Sequence, residues 1–237
     1  MLLGAEAARL FAGARAIVFG AGGVGGWCAE ALVRTGMRRI AIVDFDRVCE
    51  SNVNRQAAAV SSSVGEIKVE ALARRLRDIN PSAEIDPVCK RFTAETASGF
   101  NLASFDFVFD AIDSVPDKAE LVCRALECPG VSFFSSMGAA LKLDPFRIRA
   151  SDFKKVQGDG LARALRARFK KNGRFPCRDF KCVWSDEPRA ADACIMPDGT
   201  RVNGTAVHVV AAFGFALASL AVRETVSRAK GGASVSS

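Results

Sequence analysis

The stretch GAGGVGG, residues 20–26, joins a short apolar run, ARAIVFG (residues 14–20), to a segment at helical spacing, GWCAEALVRTG. Gly20, Gly22 and Gly25 match G-x-G-x-x-G, which reads as strand, tight turn and helix. Glycines let the backbone turn sharply and approach a phosphate, and the first amides of the helix point unpaired N–H groups at it. The turn calls for a bound nucleotide. It leaves the kind open, because NAD, FAD and ATP sites all use it.

Downstream, strands and helices alternate. RRIAIVD (38–44) reads as a second strand, and GEIKVEALARRLRDINP as a helix with Ile67, Leu72 and Leu76 on one face, stopped by Pro81. AEIDPVCK (83–90) reads as an irregular or edge strand because of Pro87, FDFVFDAID (105–113) as an apolar strand ending in acid, DKAELVCRALE as a helix and VSFFSS (131–136) as a strand. This predicts a Rossmann-like, doubly wound, mainly parallel α/β sheet with an extended C-terminal part. Beyond LDPFRIRASD the regularity is expected to fade into a basic segment, a loop rich in Pro, Asp and Cys, and an apolar helix over 205–228. With 237 residues, 49% of them hydrophobic, one well-buried domain over 1–237 is expected, divided into a nucleotide-binding half (1–137) and a substrate-facing half (138–237). Eight cysteines without C-x-x-C spacing, and an opening that lacks a secretory pattern, predict reduced thiols in a cytoplasmic protein. The net charge of +7 favours anionic partners such as nucleic acid or nucleotide.

The residues after the second strand narrow the nucleotide. Asp44 stands where an acid accepts from a ribose hydroxyl, in NAD and ATP sites alike. A dinucleotide already held by the glycine turn has no use for Asn52, Asn54 and Arg55, then Lys68, then Asp113. A triphosphate does: Arg55 and Lys68 would neutralise its outer phosphates and Asp113 would hold a bridging magnesium.

These segments in this order, GAGGVGG, IVDFDRVCESNVNRQ, VGEIKVEA, INP and DAIDS, resemble the ubiquitin-activating-like adenylating family, which includes the molybdopterin and thiamine biosynthesis adenylyltransferases. The resemblance covers residues 2–137 closely. It implies a nucleotide site made of Gly20, Gly22, Gly23, Gly25, Asp44, Asp46, Asn52, Arg55, Gln56, Lys68 and Asp113, with Arg55, Lys68 and Asp113 catalytic and Asp113 the magnesium ligand. Asp46, Arg47 and Glu50 fit solvated loop charges equally well. ATP and magnesium are the implied cofactors, with a monovalent alkali cation left open beside the site.

The second half, through SSMGAALKLDPFRIRASD, CVWSDEP and NGTAVHVVAAFGFALAS, looks like the branch that dehydrates N6-threonylcarbamoyladenosine in tRNA to its cyclic form. That branch implies a threonyl carboxylate attacking the α-phosphate of ATP, an acyl-adenylate, and ring closure with loss of AMP. From residue 163 to 181, eight residues are basic and one is acidic, with Phe169, Phe175 and Phe180 interleaved. Arg163, Arg166, Lys170, Lys171 and Arg174 are the expected tRNA contacts, with an aromatic stacking an unpaired base. The alternative is a solvated amphipathic helix followed by a mobile loop.

A second function is an adenylyltransferase activating the C-terminus of a ubiquitin-like sulfur carrier, with Cys182 or Cys194 as the relay candidates. Such relatives usually hold zinc through two C-x-x-C pairs; here Cys177 and Cys182 are spaced C-x-x-x-x-C with Cys194 alone, so zinc is not expected. A third reading, a non-catalytic scaffold for a cysteine desulfurase system, conflicts with the intact Asp44, Arg55, Lys68 and Asp113. The implied partners are tRNA, a second copy in a homodimer, and a cysteine desulfurase system. In family dimers an arginine ahead of a segment like LLG reaches the other subunit's ATP; here MLLGAEA opens the chain, and Arg9 and Arg15 follow the motif. A start further upstream, a trimmed chain and a substitute cation all remain open. His208, the single histidine, is expected to pack in the apolar helix, as are Trp27 and Cys28 in the first one. The 17-residue run AVHVVAAFGFALASLAV is marginal for a bilayer and suits a helix buried on the sheet or at a dimer interface, so no membrane span is favoured.

Overall fold

Helices cover both faces of a central sheet, which is why its strands read as unbroken apolar runs. The computed structural model describes residues 2–189, 194–195 and 201–233. In chain order the elements are α1 (Ala5–Gly13), β1 (Arg15–Phe19), α2 (Gly25–Arg34), β2 (Arg39–Val43), α3 (Lys68–Ile79), β3 (Glu84–Val88), β4 (Phe107–Asp110), α4 (Val115–Glu127), β5 (Ser132–Ser136), β6 (Ile148–Asp152), α5 (Gly160–Asn172), β7 (Lys181–Ser185), the short pair β8 (Cys194–Ile195) and β9 (Arg201–Val202), and α6 (Val207–Ala233).

Strands β1 to β7 form one sheet in the order β3-β2-β1-β4-β5-β7-β6. All neighbours are parallel except β6, which runs antiparallel to β7. Alternation along β1 feeds two cores. Ala16 and Val18 pack with α1, α2, α3 and α6, while Ile17 and Phe19 pack with α4 and α5. Sequence order reverses between β1 and β4, and their carboxyl ends diverge there into a crevice, the place where doubly wound sheets bind ligands.

The expected doubly wound sheet is present, and Pro87 sits on edge strand β3, where a missing N–H leaves no ladder bond unmade. Three local readings change. Strand β4 stops at Asp110, so Asp113 lies in the following loop instead of closing the strand. The second half does not lose regularity after residue 152: β7 inserts between β5 and β6 and widens the sheet. Helix α1, with Ala7 and Phe11 buried, precedes the first strand, a segment to which the sequence reading assigns no element.

Helix α6 has the length and composition of a membrane span. Its apolar face is used internally: Val209, Val210, Phe213, Leu217 and Ala221 are buried in the core shared with α1 and α2. A Cβ on Gly214 would lie 2.6 Å from the Val24 carbonyl oxygen and 2.8 Å from Trp27 Cβ, so α6 crosses α2 at backbone contact. His208 is not packed inside as expected; it is exposed, and its Nε2 lies 2.8 Å from the Leu143 carbonyl oxygen. Gly214→Ala is expected to overpack this crossing and lower stability by about 1–3 kcal/mol, read as a fall in urea midpoint at unchanged slope.

Candidate functional site

The first wall of the crevice is backbone. Gly20 turns with φ +91°, and a Cβ there would stand 2.8 Å from the Ala111 carbonyl oxygen. A Cβ on Gly25 would meet the Gly20 carbonyl oxygen at 1.8 Å. Gly25 therefore lets α2 start directly under the turn and does not itself line the cleft, whereas Gly20, Gly22 and Gly23 do. Asp44, just past β2, accepts from Ala21 N–H at 2.7 Å through Oδ2 and from Asp46 N–H at 2.9 Å through Oδ1, which fixes the turn's height.

A cleft of about 1330 Å³ opens above this turn. It brings together Asp44, Asp46, Asn52, Arg55, Gln56, Lys68 and Asp113, contributed by segments far apart in sequence. Lys68 is buried at the start of α3, with Nζ 3.0 Å from Asp46 Oδ2 and 3.8 Å from Asp44 Oδ1. Asp46 is thus Lys68's partner as well as a half-exposed loop acid. Arg55 donates through Nη1 to the Ser51 carbonyl at 2.8 Å and to Asn54 Oδ1 at 2.9 Å, leaving the rest of its fork open. Trp27 is partly buried and donates from Nε1 to the Arg55 carbonyl at 3.0 Å, so it anchors the arginine's backbone in addition to packing. Asn52 accepts from Cys49 N–H at 3.2 Å, and Gln56 Oε1 is buried without a donor. Asp113 is exposed and has no hydrogen-bond or ion-pair partner among the described residues.

The support under Asp113 escaped the sequence reading. Asp110 and Lys118 are both fully buried, with Lys118 Nζ 2.6 Å from Asp110 Oδ2. The same ammonium donates to Ser135 Oγ at 3.2 Å and to the Ser136 carbonyl at 3.0 Å, while Asp110 Oδ1 accepts from Ile112 N–H at 3.1 Å. One ion pair thus ties the ends of β4 and β5 and sets the loop that presents Asp113. A DxxD pair followed by a helical lysine was the available signal, but nothing local says that the lysine turns inward.

The second wall belongs to the later half of the chain. Asp159 accepts from Ala162 N–H at 2.8 Å, capping α5, and from Gly138 N–H at 3.1 Å. Glu187 accepts from Leu143 and Asp144 N–H groups at 2.9 and 3.0 Å; burial pushes its carboxyl up, but these donors and nearby Lys142 hold it below the usual range. Lys142 Nζ donates to the Ser185 and Glu187 carbonyls, and burial lowers its pKa. The loop between β5 and β6 is therefore held at both ends, with Leu141 between them at φ +60°.

The family model described as the ThiF family matches residues 2–231. The chain belongs to the ThiF family. Among its relatives, the tRNA threonylcarbamoyladenosine dehydratase of Escherichia coli (strain K12) is 36% identical over 96% of this chain and 92% of its own. That of Bacillus subtilis (strain 168) is 38% identical over 79% of this chain and 72% of its own. The crystal structure of the E. coli dehydratase, TcdA, in complex with ATP superposes with a TM-score of 0.85 at 35% identity, covering 97% of this chain and 92% of that one.

In this ThiF-family chain the basic segment divides. Arg163 lines the cleft, and Lys170 and Lys171 are exposed at the far end of α5. Arg166 instead donates through Nη2 to the Phe153 and Val156 carbonyls at 2.8 Å each and lies over the Phe153 ring. Arg174 is paired with Glu120 and Glu127. Phe169 and Phe180 are buried beside Phe153 and offer no stacking face, whereas Phe175 is exposed. Cys182 is buried, and burial pushes its thiol up to about 12; the side chain of Cys194 lies outside the described residues. No group of three or more His, Cys, Asp or Glu side chains arranged to hold a metal occurs among the described residues. Magnesium bound by one carboxylate and substrate phosphates needs no such group.

Lys118→Met would leave the Asp110 carboxylate buried without its partner. The expected loss is about 3–5 kcal/mol in urea unfolding, partly recovered when Asp110→Asn is added, since the pair is coupled.

Proposed function

We propose that this protein is an ATP-dependent dehydratase that cyclises N6-threonylcarbamoyladenosine in tRNA. Near full-length similarity to a dehydratase solved with ATP carries this reading, supported by the set Asp44, Arg55, Lys68 and Asp113 around one cleft. On this reading residues 1–237 act as one adenylating domain: 1–137 hold the nucleotide and 138–237 face the substrate.

A threonyl carboxylate oxygen attacks the α-phosphorus of ATP, and the bond to the leaving pyrophosphate breaks. A nitrogen of the same modification then attacks the activated carbonyl carbon. The carbon–oxygen bond to AMP breaks, and the nitrogen's proton passes to solvent. The carboxylate oxygen departs on AMP, so one water is lost from the nucleoside overall. Two anions meet in the first step, and the site must hold the charge that builds on pyrophosphate. Arg55 is oriented for this by Ser51, Asn54 and Trp27. Lys68 exchanges half-exposed Asp46 for a more highly charged phosphate. Asp44 accepts from ribose with the lone pairs that the turn leaves free. Magnesium, when bound, supplies further positive charge at the phosphates, and unpartnered Asp113 is the residue that would hold it.

No protein nucleophile enters these steps, which suits a buried Cys182 thiol and disfavours a sulfur relay through it. tRNA would lie along Arg163, Lys170 and Lys171. The proposal also takes the enzyme as a cytoplasmic homodimer, with exposed Val53, Val60 and Val64, flanking Arg55 in sequence, offering an apolar surface to a second copy. A cysteine desulfurase partner and an alkali cation beside the site belong to the same proposal, with no side chain assigned to either.

Incubation with ATP, magnesium and tRNA bearing the modification, followed by nucleoside mass spectrometry, is expected to show loss of one water with AMP formed in equal amount. Unchanged nucleoside would refute the reading. Arg55→Ala is expected to slow adenylate formation by about 10²–10³, the usual loss for one preorganised charge-stabilising donor. ATP at 100 times its Kd should stabilise the fold by about 2.7 kcal/mol, and NAD should leave the melting temperature unchanged.

A further inference from the structure

Most of the described arginine side chains in the substrate-facing half are spent on protein partners. Arg147 and Arg149 pair with Asp186, Arg174 with Glu120 and Glu127, and Arg166 and Arg178 donate to backbone carbonyls. Arg168 and Arg223, neither of which lines the cleft, have no partner among the described residues. Arg163, on the first turn of α5, and Arg189, beyond β7, both line the cleft and are exposed. Neither makes a hydrogen bond or ion pair among the described residues.

They lie at the same spot. Arg189 Nη2 is 4.0 Å from where a Cβ on Gly160 would stand, and Arg163 is three residues further along that helix, on the same face. Asp159, next to Gly160 in the chain, is 4% exposed, and its two oxygens are taken by the Gly138 and Ala162 N–H groups. Two exposed guanidinium groups therefore flank the start of α5 with no carboxylate paired to either among the described residues, an arrangement that an anion from outside would neutralise.

Geometry narrows the anion. The phosphate-facing cations of the nucleotide site, Arg55 and Lys68, stand on the other wall, beside the glycine turn. The cleft, at about 1330 Å³, exceeds the roughly 300–1,000 Å³ usual for small-molecule sites, so it has room for a nucleotide and part of a polymer. Exposed Lys170 lies two helical turns past Arg163 on the same face, about 10 Å along the axis, which continues the basic track out of the cleft. A polyanion with regularly spaced phosphates fits such a track, and arginine forks match phosphate oxygens two at a time.

We propose, resting on the tRNA reading above, that Arg163 and Arg189 clamp a phosphodiester of the RNA backbone next to the reacting nucleotide, at the cleft's substrate end. The clamp holds the backbone while the modified base enters the cleft, and Lys170 guides the strand outside.

The test is Arg163→Ala/Arg189→Ala in the full chain, with Arg38→Ala/Arg39→Ala as a control of equal charge change at the opposite ends of the strands. Binding of unmodified tRNA is measured against salt without ATP, and dehydration of modified tRNA is measured separately. Two lost contacts should flatten the log–log salt slope by about 1.4, at roughly 0.7 per single-strand phosphate. The KM for tRNA should rise at least tenfold, while ATP-induced thermal stabilisation and the control variant stay at wild-type values. A salt slope equal to the control's would overturn the clamp. So would competition by poly-glutamate for the wild type with tRNA binding unaltered in the double variant, which would assign the arginines to an acidic protein. If wild type fails to dehydrate tRNA but the slope still falls, the clamp stands and the dehydratase reading falls.

Discussion

Backbone touching backbone at the end of β1 is the constraint on which the molecule turns. Gly20 and Gly25 bring the strand end, the start of α2 and the Ala111 carbonyl so close that no side chain fits between them. The cleft therefore has a floor of amide groups instead of side chains, and its height is set by covalent geometry. Two carboxylates then finish the floor from neighbouring strands. Asp44 takes the Ala21 N–H after β2, and Asp110 takes the Ile112 N–H at the end of β4.

Charge around that floor is arranged in layers. The deepest pair, Asp110 with Lys118, never meets solvent and gains its worth by holding two strand ends in one register. Above it, Lys68 rests against Asp46 and Asp44, and Arg55 is steered by neutral oxygens that leave its charge uncompensated. Further out, Arg163 and Arg189 have no protein partner among the described residues. Burial and pairing fall together toward the cleft mouth. Charges that only support the structure are neutralised inside, and those facing the cleft are left more open.

The later half of the chain closes the cleft by widening the sheet. Strand β7 enters beside β5, β6 returns antiparallel at the edge, and α5 packs under them through Leu165 and Phe169. Glu187 and Lys142 then lock the loop that faces the glycine turn across the cleft. Helix α6 seals the other face with an apolar surface that would otherwise suit lipid, its approach to α2 made possible by Gly214.

Much of this was legible in the chain because the responsible constraints are local. A glycine turn, an apolar run and a 3.6-residue period each act within a dozen residues, so the doubly wound sheet could be read directly, whereas the set Asp44, Arg55, Lys68 and Asp113 was implied by the family resemblance of the segments that carry it. The inward turn of Lys118 could not, because its acceptors lie on two different strands and only their pairing makes burial of an ammonium tolerable. Nor could the division of the basic segment. Arg166, Arg174, Phe169 and Phe180 have the same local chemistry as Lys170 and Phe175, and they differ only in which carbonyls, carboxylates and rings the packed chain brings to them. Periodicity and motif spacing specify elements and the residues at their ends. Which charges are neutralised and which stay open depends on contacts between residues far apart in sequence, and those exist only once the sheet has closed.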